Sequence, residues 1–277
     1  MRFGKLEGLG NDFIVTHDTL AGDSALIETI RKRAPALCDR RFGIGADGVL
    51  CVLPSAQAAF AMRVFNADGS EAEMCGNGIR CFSVYLEKSG MWAKPDLSVE
   101  TARGIITTSR EGDGIRVDMG QPILDAPLIP TAQATGTVVM HPIMIDGKGY
   151  RVTAVSMGNP HAVVYADDLT DELVLTVGKK LESHPFFPKK TNVEFIQVLS
   201  DREIRMRVFE RGCGETLACG TGACASVVSG VVNHKHGNAV TVHLPGGDLA
   251  VQWDGSLSHS VFMTGPAHWV FDGETAL

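Results

Sequence analysis

The chain has 277 residues, of which 44% are apolar and 21% charged, a balance typical of one large or two ordinary globular domains. Its formal net charge of −7 argues against a nucleic-acid surface, and no run of like charges predicts a membrane-binding segment. The first residues lack the apolar core of a signal peptide, and the seven cysteines lack the density of a secreted disulfide scaffold, so we expect a cytoplasmic protein.

Strand-like segments dominate the chain and are separated by turns rich in glycine and aspartate. The apolar periodicity predicts four helices: Ala25–Arg40, Gly78–Lys88, Thr170–Glu182 and Thr221–His234. Two hairpins are also predicted, one joining Gly104–Arg110 to Ile115–Met119 and the other joining Asp248–Trp253 to Ser258–Met263. The mixture indicates an α/β (α+β) protein.

A duplicated motif is the most informative feature of the sequence. The segment Glu73–Gly78, which contains Cys-Gly-Asn-Gly, is echoed by Leu217–Gly222, which contains Cys-Gly-Thr-Gly. Gly10-Asn11 is echoed by Gly158-Asn159 in the same order relative to the strands. Two copies in one chain predict two pseudo-symmetric domains facing each other across a cleft. The proline-interrupted stretch 120–130 is the predicted junction.

Cys75 and Cys219 each precede a glycine turn and a helical run, so each thiol is expected at a helix N-terminus. Free backbone N–H groups and the helix dipole favour an anion at that position and lower the pKa of a thiol. The alternative is a buried, inert cysteine at a tight turn. Duplication of the whole turn favours a function, and two thiols suit chemistry that places one group on each side of a carbon atom.

Metal and cofactor sites have weaker support in the sequence. On a helix, Cys81 and Cys224 would point away from Cys75 and Cys219, so they are predicted to be core residues and no metal site is expected. The loop 43–48 matches the dinucleotide-binding pattern Gly-x-Gly-x-x-Gly. A helix is predicted before it and a strand after it, which is the reverse of the order that pyrophosphate binding requires. No cofactor is therefore expected.

Several polar residues beside predicted strands are candidates for binding a small molecule. Asparagines in turns usually serve turn geometry, and an adjacent Glu-Arg pair is as often a surface ion pair as a receptor for an ammonium and a carboxylate. Glu210-Arg211 occupies the position of Asn66-Ala67 in the first copy, and an asymmetric ligand would require such a break in symmetry. The candidates are Asn11, Asn66, Asn159, His161, Asn192, Glu210 and Arg211.

Motifs along the whole chain resemble those of the diaminopimelate epimerases, a family of cofactor-independent amino-acid epimerases. The matching segments are Gly8–Phe13, Gly43–Asp47, Phe65–Ser70, Cys75–Gly78, Ser156–His161, Glu210–Gly212, Ala218–Ala223 and Leu244–Gly247. The resemblance implies two domains, each a β-barrel-like sheet wrapped around a central helix, with the active site in the cleft. It also implies that the last strand returns to the first domain, which gives domains 1–119 plus 266–277 and 120–265.

The resemblance also implies a role for each candidate residue. Cys75 and Cys219 would be the acid and base on opposite faces of the substrate α-carbon, and His161 and Glu210 would tune their pKa values. The backbones of Gly76, Asn77, Gly220 and Thr221 would hold the reacting carboxylate. The distal end of diaminopimelate would contact Asn11, Asn66, Asn159, Asn192, Glu210 and Arg211. The family also implies a homodimer.

Two departures from the family pattern and two rival functions remain. Gly48 stands where some members carry a substrate-contacting Gln, and Phe271 stands where some use a Tyr at a dimer interface. The nearest rival is a related racemase or isomerase acting on proline derivatives or a phenazine precursor, although the phenazine-type isomerases do not use a thiol pair. A rival of another class is a non-catalytic thiol redox protein.

Overall fold

The strands and helices of the chain group into two units in a computed structural model that describes all residues, Met1–Leu277. The first unit comprises Met1–Asp118 and Thr264–Leu277, and the second comprises Met119–Met263.

The first unit contains two helices and nine strands. Its strands are β1 (Arg2–Gly8), β2 (Asn11–Thr16), β3 (Gly48–Leu53), β4 (Phe60–Asn66), β5 (Glu71–Ala72), β6 (Asp96–Thr101), β7 (Gly104–Glu111), β8 (Gly114–Asp118) and, late in the chain, β18 (His268–Glu274). Its helices are α1 (Ser24–Cys38) and α2 (Gly76–Lys88). Strand β1 pairs antiparallel with β18 and β2, β2 runs parallel to β3, and β3 is antiparallel to β4. Strand β4 then pairs antiparallel with β5 and parallel with β6, which continues into the meander β6–β7–β8.

The second unit repeats this order of elements. Its strands are β9 (His141–Ile145), β10 (Lys148–Ser156), β11 (Pro160–Tyr165), β12 (Asn192–Ser200), β13 (Glu203–Glu210), β14 (Gly214–Thr216), β15 (Ala239–Leu244) and β16 (Gly247–Gln252), followed by β17 (Phe262–Gly265) at the boundary between the units. Its helices are α3 (Gly178–Glu182) and α4 (Gly220–Val232).

The strand pairing shows the duplication directly. Strand β10 is antiparallel to β9 and β11, β11 is parallel to β12, and β12 is antiparallel to β13. Strand β13 pairs antiparallel with β14 and parallel with β15, which is antiparallel to β16. Every pairing has the same direction as its counterpart in the first unit. The predicted α/β class with two pseudo-symmetric halves is thereby confirmed.

A buried helix lies at the centre of each unit. Helix α2 contacts β18 and β1, which lie at one edge of the paired strands of this unit, and also β8, which lies at the other edge. The sheet therefore curls around the helix. Helix α4 likewise contacts β10, β11 and β12 as well as β16. The residues of α4 are small, and a Cβ added at Gly230 would meet the ring of His236 at 1.7 Å. Small side chains therefore let the surrounding structure approach this helix closely.

The other helices cover the outer face of each sheet. Helix α1 begins at an Asp23 cap, whose side chain accepts the N–H groups of Ala25 and Leu26. Its buried residues, which include Ile27, Ile30, Ala34 and Leu37, follow helical spacing and pack against β3. In the second unit, α3 and the turn before it cover a core that contains Val174, Leu181 and Phe195.

Two sequence predictions need correction. The predicted helix Thr170–Glu182 begins as a π-helix, Glu172–Val177, and becomes α-helical only over Gly178–Glu182. The predicted strand Ser258–Met263 begins only at Phe262, because a turn occupies the residues before it. In this turn Asp254 accepts hydrogen bonds from the backbone of Ser256 and from the ring of His259. The other predicted hairpin is confirmed as β7–β8, with Glu111 paired to Gly114.

Candidate active site

Cys75 and Cys219 are the N-cap residues of the two central helices. Cys75 Sγ accepts the N–H of Gly78 at 3.3 Å, and Cys219 Sγ accepts the N–H of Gly222 at 3.4 Å. Both cysteines have extended backbones, so the helices begin at the residue after each thiol. The sequence prediction that each thiol lies at a helix N-terminus is confirmed. Each sulfur therefore lies where the helix dipole favours negative charge.

The two thiols differ in exposure and in their neighbours. Cys75 is half-buried, and its sulfur lies 3.7 Å from the side-chain oxygen of Asn11. Cys219 is only 6% exposed, and its sulfur lies 3.5 Å from the hydroxyl of Thr221. Burial, together with the negative charges of Glu210 and Glu194, raises the pKa of Cys219 well above that of an ordinary thiol. Cys219 is therefore held as a thiol at neutral pH.

The first unit surrounds Cys75 with a network of amides. Asn77 Nδ2 donates to Asn11 Oδ1 at 3.3 Å, so the two carboxamides lie together beside the thiol. Arg80, which is fully buried, donates from Nη2 to Asn77 Oδ1 at 3.0 Å and from Nη1 to the carbonyl of Gly76 at 3.1 Å. Its Nε donates to the carbonyl of Pro266 at 3.1 Å. The guanidinium thus holds the first turn of α2 and the side chain of Asn77 in place.

A charged network supports Asn11 from behind. Asp47 accepts from Asn11 Nδ2 at 2.7 Å and from the guanidinium of Arg40 at 2.8 Å. Asp12 is partly buried, which opposes its ionisation, but hydrogen bonds from Arg40 and Lys5 lower its pKa to about 2. Asp12 therefore stays ionised across the physiological pH range and holds Arg40, which in turn binds the Asp47 that orients Asn11.

Asn66 lies in an exposed turn at the end of β4. Its Nδ2 donates to Ser70 Oγ at 3.0 Å, and the backbone N–H of the next residue donates to the carbonyl of Asp47. In this turn the side chain serves local geometry while also remaining accessible to solvent.

Each cysteine loop is attached to its sheet by an Arg–Glu pair at equivalent positions. Arg63 donates two bonds of 2.7 Å to Glu71, the residue four positions before Cys75. Arg207 makes the same bidentate contact with Glu215, four positions before Cys219. The glutamate that recurs before each cysteine is therefore explained by attachment of the loop.

A buried chain of polar groups leads away from Cys219. Asn159 Nδ2 donates to Thr221 Oγ1 at 3.2 Å, and its Oδ1 lies 3.0 Å from His161 Nε2. The other ring nitrogen of His161, Nδ1, lies 2.7 Å from Glu194 Oε1. Both side chains of this last pair are completely buried. Thr221, Asn159, His161 and Glu194 therefore form one connected network behind the thiol.

Glu210 is the second carboxylate near Cys219. Burial and the neighbouring charge of Glu194 raise its pKa, although a hydrogen bond from the Thr216 hydroxyl, the charge of His161 and a bond from Cys219 act in the opposite direction. The contact places Glu210 beside the Cys219 thiol. A carboxyl group with a raised pKa beside a buried thiol is typical of a functional site.

Asn192 and Arg211 are connected through the backbone. Asn192 Oδ1 accepts the N–H of Arg211 at 2.9 Å, and its Nδ2 donates to the carbonyl of Pro160 at 2.9 Å. Because both ends of this buried carboxamide are occupied, Asn192 fixes the turn that carries Arg211. The Arg211 side chain itself is exposed.

The loop 43–48 caps a helix. The N–H groups of Ile44 and Gly45 donate to the carbonyl of Leu37, and a Cβ added at Gly43 would lie 2.1 Å from the carbonyl oxygen of Ala36. These glycines let the loop fold over the C-terminus of α1, and the amides that would be needed to bind a phosphate are already used. The loop lies between α1 and β3, as predicted.

Gly48, Cys81 and Cys224 are structural. A Cβ at Gly48 would lie 2.7 Å from the carbonyl oxygen of Phe65, so β3 is packed closely on β4 at this point. Cys81 and Cys224 are completely buried, which confirms their prediction as core residues. Burial raises the pKa of Cys81 far above its ordinary range.

Sequence reasoning gave no role to Arg80, Asp47 or Glu194. Asp47 lies within a matching segment, Arg80 lies two residues after one, and Glu194 follows Asn192 in a strand-like run that indicates only a core strand. A charged residue inside an apolar strand is the signal that could have found Glu194.

The fold is one that epimerases and isomerase-like proteins share. A hydroxyproline epimerase from Agrobacterium vitis superposes with a TM-score of 0.69 at 16% identity, over 99% of this chain and 90% of that one. A phenazine biosynthesis protein of the PhzF family from Bacillus anthracis superposes with a TM-score of 0.70 at 17% identity, over 100% and 99% of the two chains. These similarities define the two-domain fold class.

Sequence comparison gives the family. The family model for diaminopimelate epimerase matches residues 3–124 and 153–270. The diaminopimelate epimerase of Moorella thermoacetica is 50% identical, with all of both chains covered, and that of Desulfitobacterium hafniense is 49% identical over 99% of this chain and 97% of that one. The chain belongs to the diaminopimelate epimerase family.

None of the helices combines the length and the apolar character that crossing a membrane requires.

Proposed function

We propose that the chain is an isomerase that interconverts L,L- and meso-2,6-diaminoheptanedioate by inverting one α-carbon, within lysine and peptidoglycan precursor biosynthesis. The observation that carries the proposal is the duplicated cysteine cap, in which each thiol begins a central helix and accepts an N–H from that helix. Membership of the diaminopimelate epimerase family supports the choice of substrate.

The reaction that we propose uses one cysteine as base and the other as acid. The thiolate removes the α-proton from one face of the carbon, and the thiol delivers a proton to the opposite face. Cys219, whose pKa is raised by burial and by two carboxylates, suits the role of resting thiol, and the role of base in this direction then belongs to Cys75. The reverse reaction exchanges the two roles.

The carbanion is stabilised by the helix N-termini. The first amides of α2 and α4, at Gly76-Asn77 and Gly220-Thr221, lie at the helix N-termini and would bind the reacting carboxylate as negative charge builds on it. Removing one preorganised donor of this kind typically costs about 100- to 1,000-fold in rate. No electron-sink cofactor is needed in this scheme.

Substrate selection would come from polar residues near the two cysteines. Asn11, Asn66 and Asn159 supply carboxamides, and Glu210 with Arg211, where the two units differ, provides opposite charges for the distal ammonium and carboxylate groups. Asn192 would act through its bond to the Arg211 backbone. The proline-derived substrates of the rival racemases have no second amino-acid group that could bind to Glu210 and Arg211.

Assembly and location are parts of the same proposal. Each unit would carry one half of the site, with Cys75 in the first and Cys219 in the second. Val270 and Phe271 on β18 are 55% and 45% exposed, an apolar strand surface that suits a homodimer interface. We expect the enzyme to act in the cytoplasm.

Turnover of purified stereoisomers tests the proposal. The wild-type protein should convert L,L- to meso-diaminopimelate and back, as followed by chiral chromatography, and should leave proline and hydroxyproline unchanged. Cys75→Ala and Cys219→Ala should each abolish conversion, whereas Cys224→Ala should retain it. Conversion of proline instead would favour the racemase alternative, and absence of turnover with formation of a stable disulfide would favour the redox protein.

A further inference from the structure

The two units differ in the pair of side chains that lies behind each cysteine cap. The strand registers place His161 of β11 at the position of Phe13 in β2, and Glu194 of β12 at the position of Leu50 in β3. In the first unit, a Cβ at Gly78 would meet Leu50 and Phe13 at 3.5 Å each. In the second unit, the equivalent glycine instead faces a carboxylate oxygen of Glu194. An apolar pair has thus been replaced by an ionisable one.

The ionisable pair is not needed for the fold. Both side chains are 0% exposed, and Glu194 Oε2 has no hydrogen-bond partner. Burying two such groups costs free energy that their attraction often fails to recover, and an apolar pair of similar size is frequently as stable or more so. The first unit builds the same strands around Phe13 and Leu50. The pair is therefore retained for something other than stability.

The groups that face Glu194 belong to the proposed chemistry. They are His161 on β11, Glu210 on β13 and Cys219 at the start of α4, and the charge of Glu194 acts on both Glu210 and Cys219. The glycine at 222 makes this approach possible, because a Cβ there would lie 2.7 Å from Glu194 Oε1 and 3.2 Å from Cys219 Sγ. The buried carboxylate therefore packs against the first turn of the helix that Cys219 begins.

The hydrogen bonds fix where the protons lie. Asn159 Oδ1 can only accept, so His161 Nε2 must carry a proton toward it. Nδ1 and Glu194 Oε1, 2.7 Å apart, must then share a second proton. At the other end, Asn159 Nδ2 donates to Thr221 Oγ1, which leaves the Thr221 hydroxyl proton free to point at the Cys219 sulfur. From His161 Nε2 through Asn159 Nδ2 to the Thr221 hydroxyl, the donors therefore point toward the thiol.

We infer that Glu194 is a positioning residue for the reaction: it holds the second proton on His161 and, through Asn159, orients the Thr221 hydroxyl toward Cys219. The inference rests on the proposed function for its kinetic part. Glu194 is completely buried, so it acts on the site mainly through its hydrogen bond to His161. It makes the Cys219 half of the site chemically different from the Cys75 half, which a one-base, one-acid reaction requires.

The test is Glu194→Gln, which keeps the shape of the side chain and lets its amide donate to Nδ1. The shared proton should disappear, so the ¹⁵N signal of His161 Nδ1 should change to that of an unprotonated ring nitrogen. We expect kcat to fall by about 100-fold, the lower end of what a general acid–base group contributes, with KM little changed. An unchanged Nδ1 signal would overturn the inference.

A mutant cycle separates positioning from folding. His161→Phe combined with Glu194→Leu restores the pair of the first unit, so this double variant should fold even where Glu194→Leu alone does not. Because Glu194 acts through His161, adding Glu194→Leu to His161→Phe should cost less than threefold further in kcat. Independent, multiplicative losses would overturn the inference. Glu203→Gln, an exposed change on β13, is the matched control and should keep full activity.

The NMR measurement also distinguishes this inference from the proposed function. If the wild-type protein does not turn over diaminopimelate, the proposed function fails, but the Nδ1 signal of Glu194→Gln still decides whether Glu194 holds the proton. If turnover is normal and the signal is unchanged, only the inference fails.

Discussion

Arg80→Met should destabilise the first unit far more than a comparable change at the surface. The Arg80 side chain is completely buried and donates to Asn77 Oδ1, to the Gly76 carbonyl and to the Pro266 carbonyl. Its loss would take a donor from the buried Asn77 Oδ1 and from the partly buried Pro266 carbonyl. Hydrogen bonds from a charged donor contribute about 1.5–3 kcal/mol each. With part of the volume refilled by Met, we expect a loss of about 3–5 kcal/mol in the free energy of unfolding.

The assay is thermal and urea unfolding followed by circular dichroism. A loss of this size should lower Tm by roughly 6–20 °C. Arg63→Met is the control, because this half-exposed arginine also makes a bidentate contact, with Glu71, yet should cost about 1 kcal/mol or less. Since Arg80 also orients Asn77, its variant should raise KM. Equal destabilisation by the two substitutions would refute the reasoning.

Three further predictions concern the thiols and the glycines. Burial and two negative neighbours raise the pKa of Cys219, so its alkylation by iodoacetamide, mapped by mass spectrometry, should be slow at neutral pH. In Glu210→Gln the alkylation should begin at a lower pH, and an unchanged pH dependence would contradict this. Gly222→Ala should lower kcat at least tenfold more than Gly78→Ala. The new Cβ at position 222 would lie 2.7 Å from a carboxylate oxygen, whereas the nearest contact of a Cβ at position 78 is 3.2 Å. Equal kinetic effects would argue against this packing. Gly43→Ala should cost more than about 2 kcal/mol in urea unfolding, since its Cβ would overlap a helix carbonyl, and a neutral result would show that the loop can relax.

Much of this architecture could be predicted because local rules and tertiary packing agree. The Cys-Gly-x-Gly turns begin α2 and α4 as predicted, since a side-chain acceptor followed by flexible glycines is a strong helix start in any context. The same agreement identified the β7–β8 hairpin, in which a Gly-Asp pair forms the two-residue loop.

The misses occur where long-range pairing decides. The run Ser258–Met263 is apolar enough to be a strand, but side-chain bonds to Asp254 hold its first residues in a turn. Glu194 is conspicuous only once β11 and β12 are aligned, because it lies two residues beyond Asn192, the register partner of His161, and so on the same face as a histidine 33 positions earlier in the chain. The role of Asn192 depends in the same way on a backbone contact with Arg211.

The central claim is that two cysteines act on opposite faces of one carbon, and deuterium incorporation tests it most directly. L,L-diaminopimelate is incubated in deuterated water and stopped at early conversion, and label is measured separately in product and in recovered substrate. Two bases predict one deuterium at the inverted carbon of the meso product and none in the remaining substrate, with no label in either for Cys75→Ala or Cys219→Ala. Equal label in substrate and product, or full activity in either variant, would contradict the account.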